Sequence, residues 1–265
     1  MEIILQRLAL GGYAAATILA FISILLRRKV VFTLAPVFAG VGFLAHLVAF
    51  AGSLWSPAGL AGFGIDQVIN LLSLIAVGIY LYGYIRYQMH VLGIVMLPLA
   101  LVLYEISGWM PLEAVELASR YSQPLLWSHI VVSTLGVGAL FLTFTFSVMY
   151  LIQERALKEK RRPARFFLSL PSLTACDRVL YVSLIIGFAF LTVGLALAAV
   201  WSANVRETFH VWQSQREILA LVSWVIFGVV LYARLVSGWR GRKMALLAIA
   251  GFAAVMMRII IGPFL

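Results

Sequence analysis

Apolar runs of about 20 residues recur along the whole of this chain, and a helix of that length crosses roughly 30 Å of hydrocarbon. Eight such runs are legible, at about 8–26, 31–52, 67–85, 91–108, 125–152, 179–202, 217–236 and 244–263. A bilayer offers no water to backbone polar groups, so each run must close its own hydrogen bonds as helix. The fold class that follows is an all-α integral membrane protein. Of 265 residues, 63% are hydrophobic and only 11% charged, where a soluble domain is about one quarter charged. Every polar stretch is short, so residues 1–265 are expected to form a single transmembrane domain without a soluble one attached.

The net charge of +10 would suggest nucleic acid on a soluble protein. Here the cations gather in short loops, where they set topology and meet anionic lipid headgroups, so the bilayer is the expected partner and nucleic acid is not. Fifteen of the 20 basic residues follow spans one, three, five and seven: Arg27, Arg28 and Lys29; Arg86; Arg155, Lys158, Lys160, Arg161, Arg162, Arg165 and Arg178; Arg234, Arg240, Arg242 and Lys243. Positive-inside bias therefore puts both termini outside the cytoplasm. The basic connector 153–178 is expected to begin as an extension of span five and to carry Cys176, Asp177 and Arg178 in a polar segment. One cysteine excludes an internal disulfide, and the absence of Cys-x-x-Cys and Cys-x-x-Cys-His excludes dithiol exchange and covalent haem attachment on this chain. The first apolar run is long and its charge follows it, unlike a signal peptide. The outer loop at 53–66, with Trp55 and Phe63, and the amphipathic loop at 203–216 are expected to lie at the interface and to roof a cavity. No internal repeat is evident.

Two histidines interrupt the spans at matching depth. His46 lies about six residues before the outer end of span two, and His129 about four residues into span five from the same side. At 1.5 Å per residue both sit roughly 6–9 Å below the outer surface. Ionisable groups inside a bilayer are costly and mark function, while burial favours the neutral imidazole, the form that ligates iron. A pair of imidazoles at one depth suits a b-type haem. Spacing alone leaves a second reading open, in which each histidine satisfies itself on a carbonyl or a serine, with Ser128 and Ser133 close by. Zinc is less attractive, since it takes four ligands and no Cys, Asp or Glu lies nearby in sequence.

Glu105 in span four and Arg258 in span eight are the other charges within the membrane. They either pair, which lowers the insertion cost of each, or Arg258 binds an anion such as a haem propionate with Glu105 orienting it. In the outer loop, His210 beside Trp212 is either solvated or a further ligand at the membrane surface. No nucleophile–base pair, phosphate loop or metal-hydrolase motif is visible, so the chain is not read as an enzyme.

The last third carries Arg216-Glu217-Ile-Leu-Ala-Leu-Val-Ser-Trp224, then Leu231-Tyr-Ala-Arg234, Gly238-Trp-Arg-Gly-Arg242 and Gly251-Phe252. These segments resemble the end of the cytochrome c assembly family, which includes CcsA, CcmC and the HemX and YpjD proteins. His46 in Leu-Ala-His-Leu, followed by Asn70-Leu-Leu-Ser73, is similar to the family's first membrane histidine and its Asn-x-x-Ser segment. His129 in Trp127-Ser-His-Ile, followed by Gln153-Glu154-Arg155, is similar to its second. The resemblance runs from about residue 40 to the end.

The resemblance implies that His46 and His129 are axial ligands of one haem b and that other cytochrome c assembly proteins are partners, in a bacterial cytoplasmic membrane. The family's larger members carry a tryptophan-rich outer segment flanked by two outer histidines, where haem is presented to apocytochrome. Here the corresponding segment is Trp212-Gln-Ser-Gln-Arg-Glu217, without Asp-Pro, and the sequence ends at Leu265, where a second outer histidine would follow. In size and in these departures the chain is more similar to the HemX/YpjD branch. The function expected is haem handling in cytochrome c biogenesis. The rivals are a HemX-like regulator of tetrapyrrole synthesis, using the loop 153–178 on a cytoplasmic partner, and a transporter of another anionic solute.

Overall fold

The computed structural model describes residues 2–26, 29–55, 64–109, 123–158, 171–205 and 215–261. Those residues form eight helices and no strand: α1 (Glu2–Leu26), α2 (Lys29–Leu54), α3 (Ile65–Tyr87), α4 (Leu92–Trp109), α5 (Gln123–Lys158), α6 (Leu173–Val205), α7 (Gln215–Leu235) and α8 (Arg242–Ile261). Each coincides with one expected apolar run. The first seven are long and apolar enough to cross a membrane. The eighth, of 20 residues, carries Arg242, Lys243 and Arg258. Large apolar side chains such as Val41, Leu44 and Val48 point outward from α2, which suits lipid and not water. The protein is an all-helical integral membrane protein.

The helices form two compact units, with α1–α4 in the first and α5–α8 in the second. In the first, α1 packs on α2, α2 on α3, α3 on α4, and α4 returns to α1. The second closes the same way, α5 on α6, α6 on α7, α7 on α8 and α8 on α5. Association within lipid depends on close packing and hydrogen bonds, so small residues mark the contacts. A Cβ built on Gly12 would lie 2.8 Å from Gly42 Cα, which measures how near α1 and α2 approach. Along α5 and α6 the facing pairs are Ser133 with Gly194, Gly136 with Leu191, and Leu140 with Gly187, an antiparallel register. The hydroxyls of Thr143 and Ser183 meet across it at 2.9 Å.

The connector after α5 meets the sequence expectation at one end and departs from it at the other. The 36 residues of α5 span about 54 Å at 1.5 Å each, so its last turns, with Glu154 and Lys158 paired at 2.7 Å, extend past the hydrocarbon as anticipated. The other end of the connector is different: Cys176, Asp177 and Arg178 lie in the first turns of α6, not in a polar segment. Ser172 starts this helix early, its Oγ accepting from the Ala175 backbone N–H at 3.2 Å as an N-cap does. Cys176 is fully buried.

Asp177 has a structural task. Its carboxylate takes both Arg234 nitrogens, at 2.6 and 3.1 Å, and lies 3.4 Å from the Gly241 backbone N–H. Arg234 also donates to the Trp239 carbonyl at 3.1 Å and lies over the Tyr181 ring. The Gly-Trp-Arg-Gly-Arg motif is the turn this clamp holds. Gly238 and Gly241 have φ of 63° and 70°, values open to glycine at no steric cost.

Candidate functional site

His46 sits on α2, eight positions before Leu54, and is 1% exposed. The Gly12–Gly42 contact brings Tyr13 of α1 against it, with the phenol oxygen 2.9 Å from Nδ1. The amide oxygen of Asn70 on α3 faces Nε2, and the Tyr104 ring of α4 stands edge-on at 4.7 Å between centroids. Since an amide oxygen only accepts, Nε2 carries the hydrogen and Nδ1 accepts from Tyr13. Four helices thus converge on one neutral imidazole. Three residues farther along α3, the Ser73 hydroxyl donates to the Ala100 carbonyl of α4 at 2.8 Å. The Asn-x-x-Ser segment therefore ties α3 to α2 through Asn70 and to α4 through Ser73.

Beside this cluster the first unit opens a cavity of about 500 Å³ between the start of α1, the start of α3 and the end of α4. Asn70 and Tyr104 form part of its wall, with Gln6, Gln67, Ser107 and Glu105. Glu105 is exposed and shares the cavity with Arg7.

His129 lies in the second unit, six positions into α5. Its Nδ1 donates to the Gly194 carbonyl of α6 at 2.8 Å, with the Ser133 hydroxyl 3.3 Å from the same nitrogen. That bond fixes the hydrogen on Nδ1 and leaves the Nε2 lone pair unused among the described residues. A metal-ligating histidine is held this way, by a carbonyl on its other nitrogen. Arg258 of α8 is near enough to His129 for its charge to act on the imidazole. The Arg258 Nε is buried and has no hydrogen-bond partner among the described residues. A membrane guanidinium whose Nε is buried without a partner is suited to an anion.

The candidate residues therefore divide. His46 and Glu105 belong to the first unit, His129 and Arg258 to the second. His210 and Trp212 lie outside the described residues, as does most of each expected roofing loop. Sequence reasoning passed over Tyr13, Tyr104 and Gly194. Tyr13 alone left a signal, since it follows Gly11-Gly12 and a small-residue pair marks a close helix contact.

The sequence profile described as "Cytochrome C assembly protein" matches residues 88–262, more than half of the chain. The chain belongs to this family. Similar proteins share the name "Cytochrome c biogenesis protein CcsA". One, from Chlorella vulgaris, is 31% identical over 160 residues, covering 56% of this chain and 50% of that protein. Another, from Heterosigma akashiwo, is 26% identical over 226 residues, covering 70% and 69%. A third, from Trichodesmium erythraeum, is 39% identical over 79 residues, covering 30% and 22%. The chain spans about half the length of the Chlorella protein it matches. The family match holds all of α5–α8, and with them His129, Arg258 and the Arg234 clamp.

Proposed function

We propose that this member of the cytochrome c assembly family binds haem b within the membrane and handles it for cytochrome c biogenesis. His129 carries the reading. It offers an unused Nε2, and in the same unit the Arg258 Nε is buried without a partner among the described residues. Iron suits the first group and a carboxylate such as a haem propionate suits the second. The relatives' printed name, cytochrome c biogenesis, supplies the process. His46 is the proposed second axial ligand, by its resemblance to the family's first membrane histidine. The Tyr13 oxygen, 2.9 Å from Nδ1, would accept the Nδ1 hydrogen once Nε2 gave its lone pair to iron. Bound haem would supply an iron centre, which His129 and His46 would hold. This chain's residues would fix its position, its carboxylates and its separation from water. The reduced segment Trp212–Glu217 supports binding and transfer of haem rather than catalysis of its attachment. The location in this reading is a bacterial cytoplasmic membrane, and the basic bias of alternate loops supports the orientation within it.

The test is the visible spectrum of the protein purified in detergent. A six-coordinate low-spin haem spectrum is expected, and His46→Ala and His129→Ala should each lose most of the bound haem. Wild-type spectra from both single variants would move the site elsewhere.

A further inference from the structure

The nitrogen of His46 that faces Asn70 is already engaged. Tyr13 fills one side of the imidazole and the Asn70 amide oxygen the other. With the residue 1% exposed, no other approach is open. Asn70 itself is only partly buried and lines the outer cavity of the first unit. One helical step toward the start of α3, Gln67 lines the same cavity. Positions three apart on a helix are neighbours. The Gln67 Oε1 is buried and lacks a hydrogen-bond partner among the described residues. A buried acceptor left without a donor is unusual and calls for an explanation.

We propose that Asn70 is a gate on His46, closing the imidazole nitrogen with its amide oxygen and opening it by turning into the outer cavity, where its NH₂ group donates to Gln67. The inference rests on His46 as an iron ligand. The two positions exchange one hydrogen bond for another, so the opening needs no large driving force. In the closed position the polar ring is satisfied and an incoming group meets an occupied nitrogen. In the open position the ring takes its other tautomer, with Nδ1–H donating to the Tyr13 oxygen, so that the Nε2 lone pair faces the cavity while the orphaned Gln67 oxygen is satisfied. Asn70 is a positioning residue here, because it acts through His46. The cavity is the route by which a flat ligand's face reaches the ring nitrogen, and Tyr13 holds the imidazole in place while Asn70 moves.

The experiment uses the full chain in detergent without haem. Diethyl pyrocarbonate acylates exposed imidazoles, and the modified His46 peptide is quantified by mass spectrometry, with His129 in the same sample as the reference. Asn70→Ala should speed His46 modification roughly three- to tenfold, the factor commanded by one net hydrogen bond. Gln67→Leu, which removes the acceptor for the open position, should slow it. Asn70→Asp keeps an oxygen facing the ring but has no NH₂ to give Gln67, so it should slow modification as Gln67→Leu does. A second arm follows haem association by stopped-flow absorbance and should show the same order of rates. Acceleration by all three substitutions would mean loosened packing and would overturn the gate, as would unchanged rates in all three. The expected pattern of modification with no haem taken up by any of the proteins would uphold the gate and sink the haem reading alone.

Discussion

Arg258 is the residue whose replacement separates a structural charge from a binding one. A cation paired inside its own unit is strongly destabilising to truncate, because its partner is left alone. Arg258 has no such partner among the described residues, and its Nε is buried. Replacing it by leucine removes an unsatisfied polar group, whose burial costs about 1–3 kcal/mol. Arg258→Leu should therefore leave the thermal midpoint of the haem-free protein unchanged or raise it, while weakening haem retention through dialysis. A large fall in the haem-free midpoint would show that the guanidinium is structurally paired. Tyr13 should behave in the opposite way. Tyr13→Phe strips the donor from His46 Nδ1, 2.9 Å away in a fully enclosed site. The loss should be about 1–3 kcal/mol in the haem-free protein, read as a lower midpoint in the same detergent. An unchanged midpoint would mean that Tyr13 contributes only its ring.

Among the elements, α1 and α2 carry the sharpest contrast, because adjacent glycines of α1 have opposite surroundings. A Cβ on Gly12 would meet Gly42 Cα at 2.8 Å and the Phe38 carbonyl at 2.9 Å, both backbone atoms that cannot rotate away. A Cβ on Gly11 would meet nothing within 4 Å. Gly12→Ala should push the helices apart and destabilise by about 1–3 kcal/mol, with loss of haem as Tyr13 leaves His46. Gly11→Ala should stabilise by up to about 1 kcal/mol through helix propensity. Thermal melts of the two variants check this, and equal effects would disprove the close contact. The helices themselves were legible because 20-residue apolar runs in lipid have one local solution. Their polar contacts were much less so. His129 could be singled out from its depth, but its acceptor, the Gly194 carbonyl, is a backbone atom 65 positions away that register alone selects. Asn70 was visible as part of a motif, whereas its contact with His46 needs the packing of α2 on α3. Cys176 was misplaced because charge near it suggested a loop, while Ser172 already begins the helix.

For the molecule as a whole, polarity along the membrane normal links topology to function. In the first unit, His46 lies toward the end of α2 far from Lys29, beside a cavity lined by Glu2, Asp66 and Glu105. In the second, His129 is near the start of α5 and Arg258 near the end of α8, while Arg155, Lys158, Arg242 and Lys243 mark the opposite ends of those helices. Each unit thus keeps its candidate residues away from the basic loops. The positive-inside rule places those loops in the cytoplasm, which puts the proposed haem ligand of each unit in the outer part of the membrane. A reporter active only in the cytoplasm should stay silent when fused after Leu265 and should work when inserted near Lys160. The reverse pattern would turn the protein over and move His46, His129 and the acidic cavity to the cytoplasmic side. The orientation therefore decides on which side of the membrane the candidate residues lie.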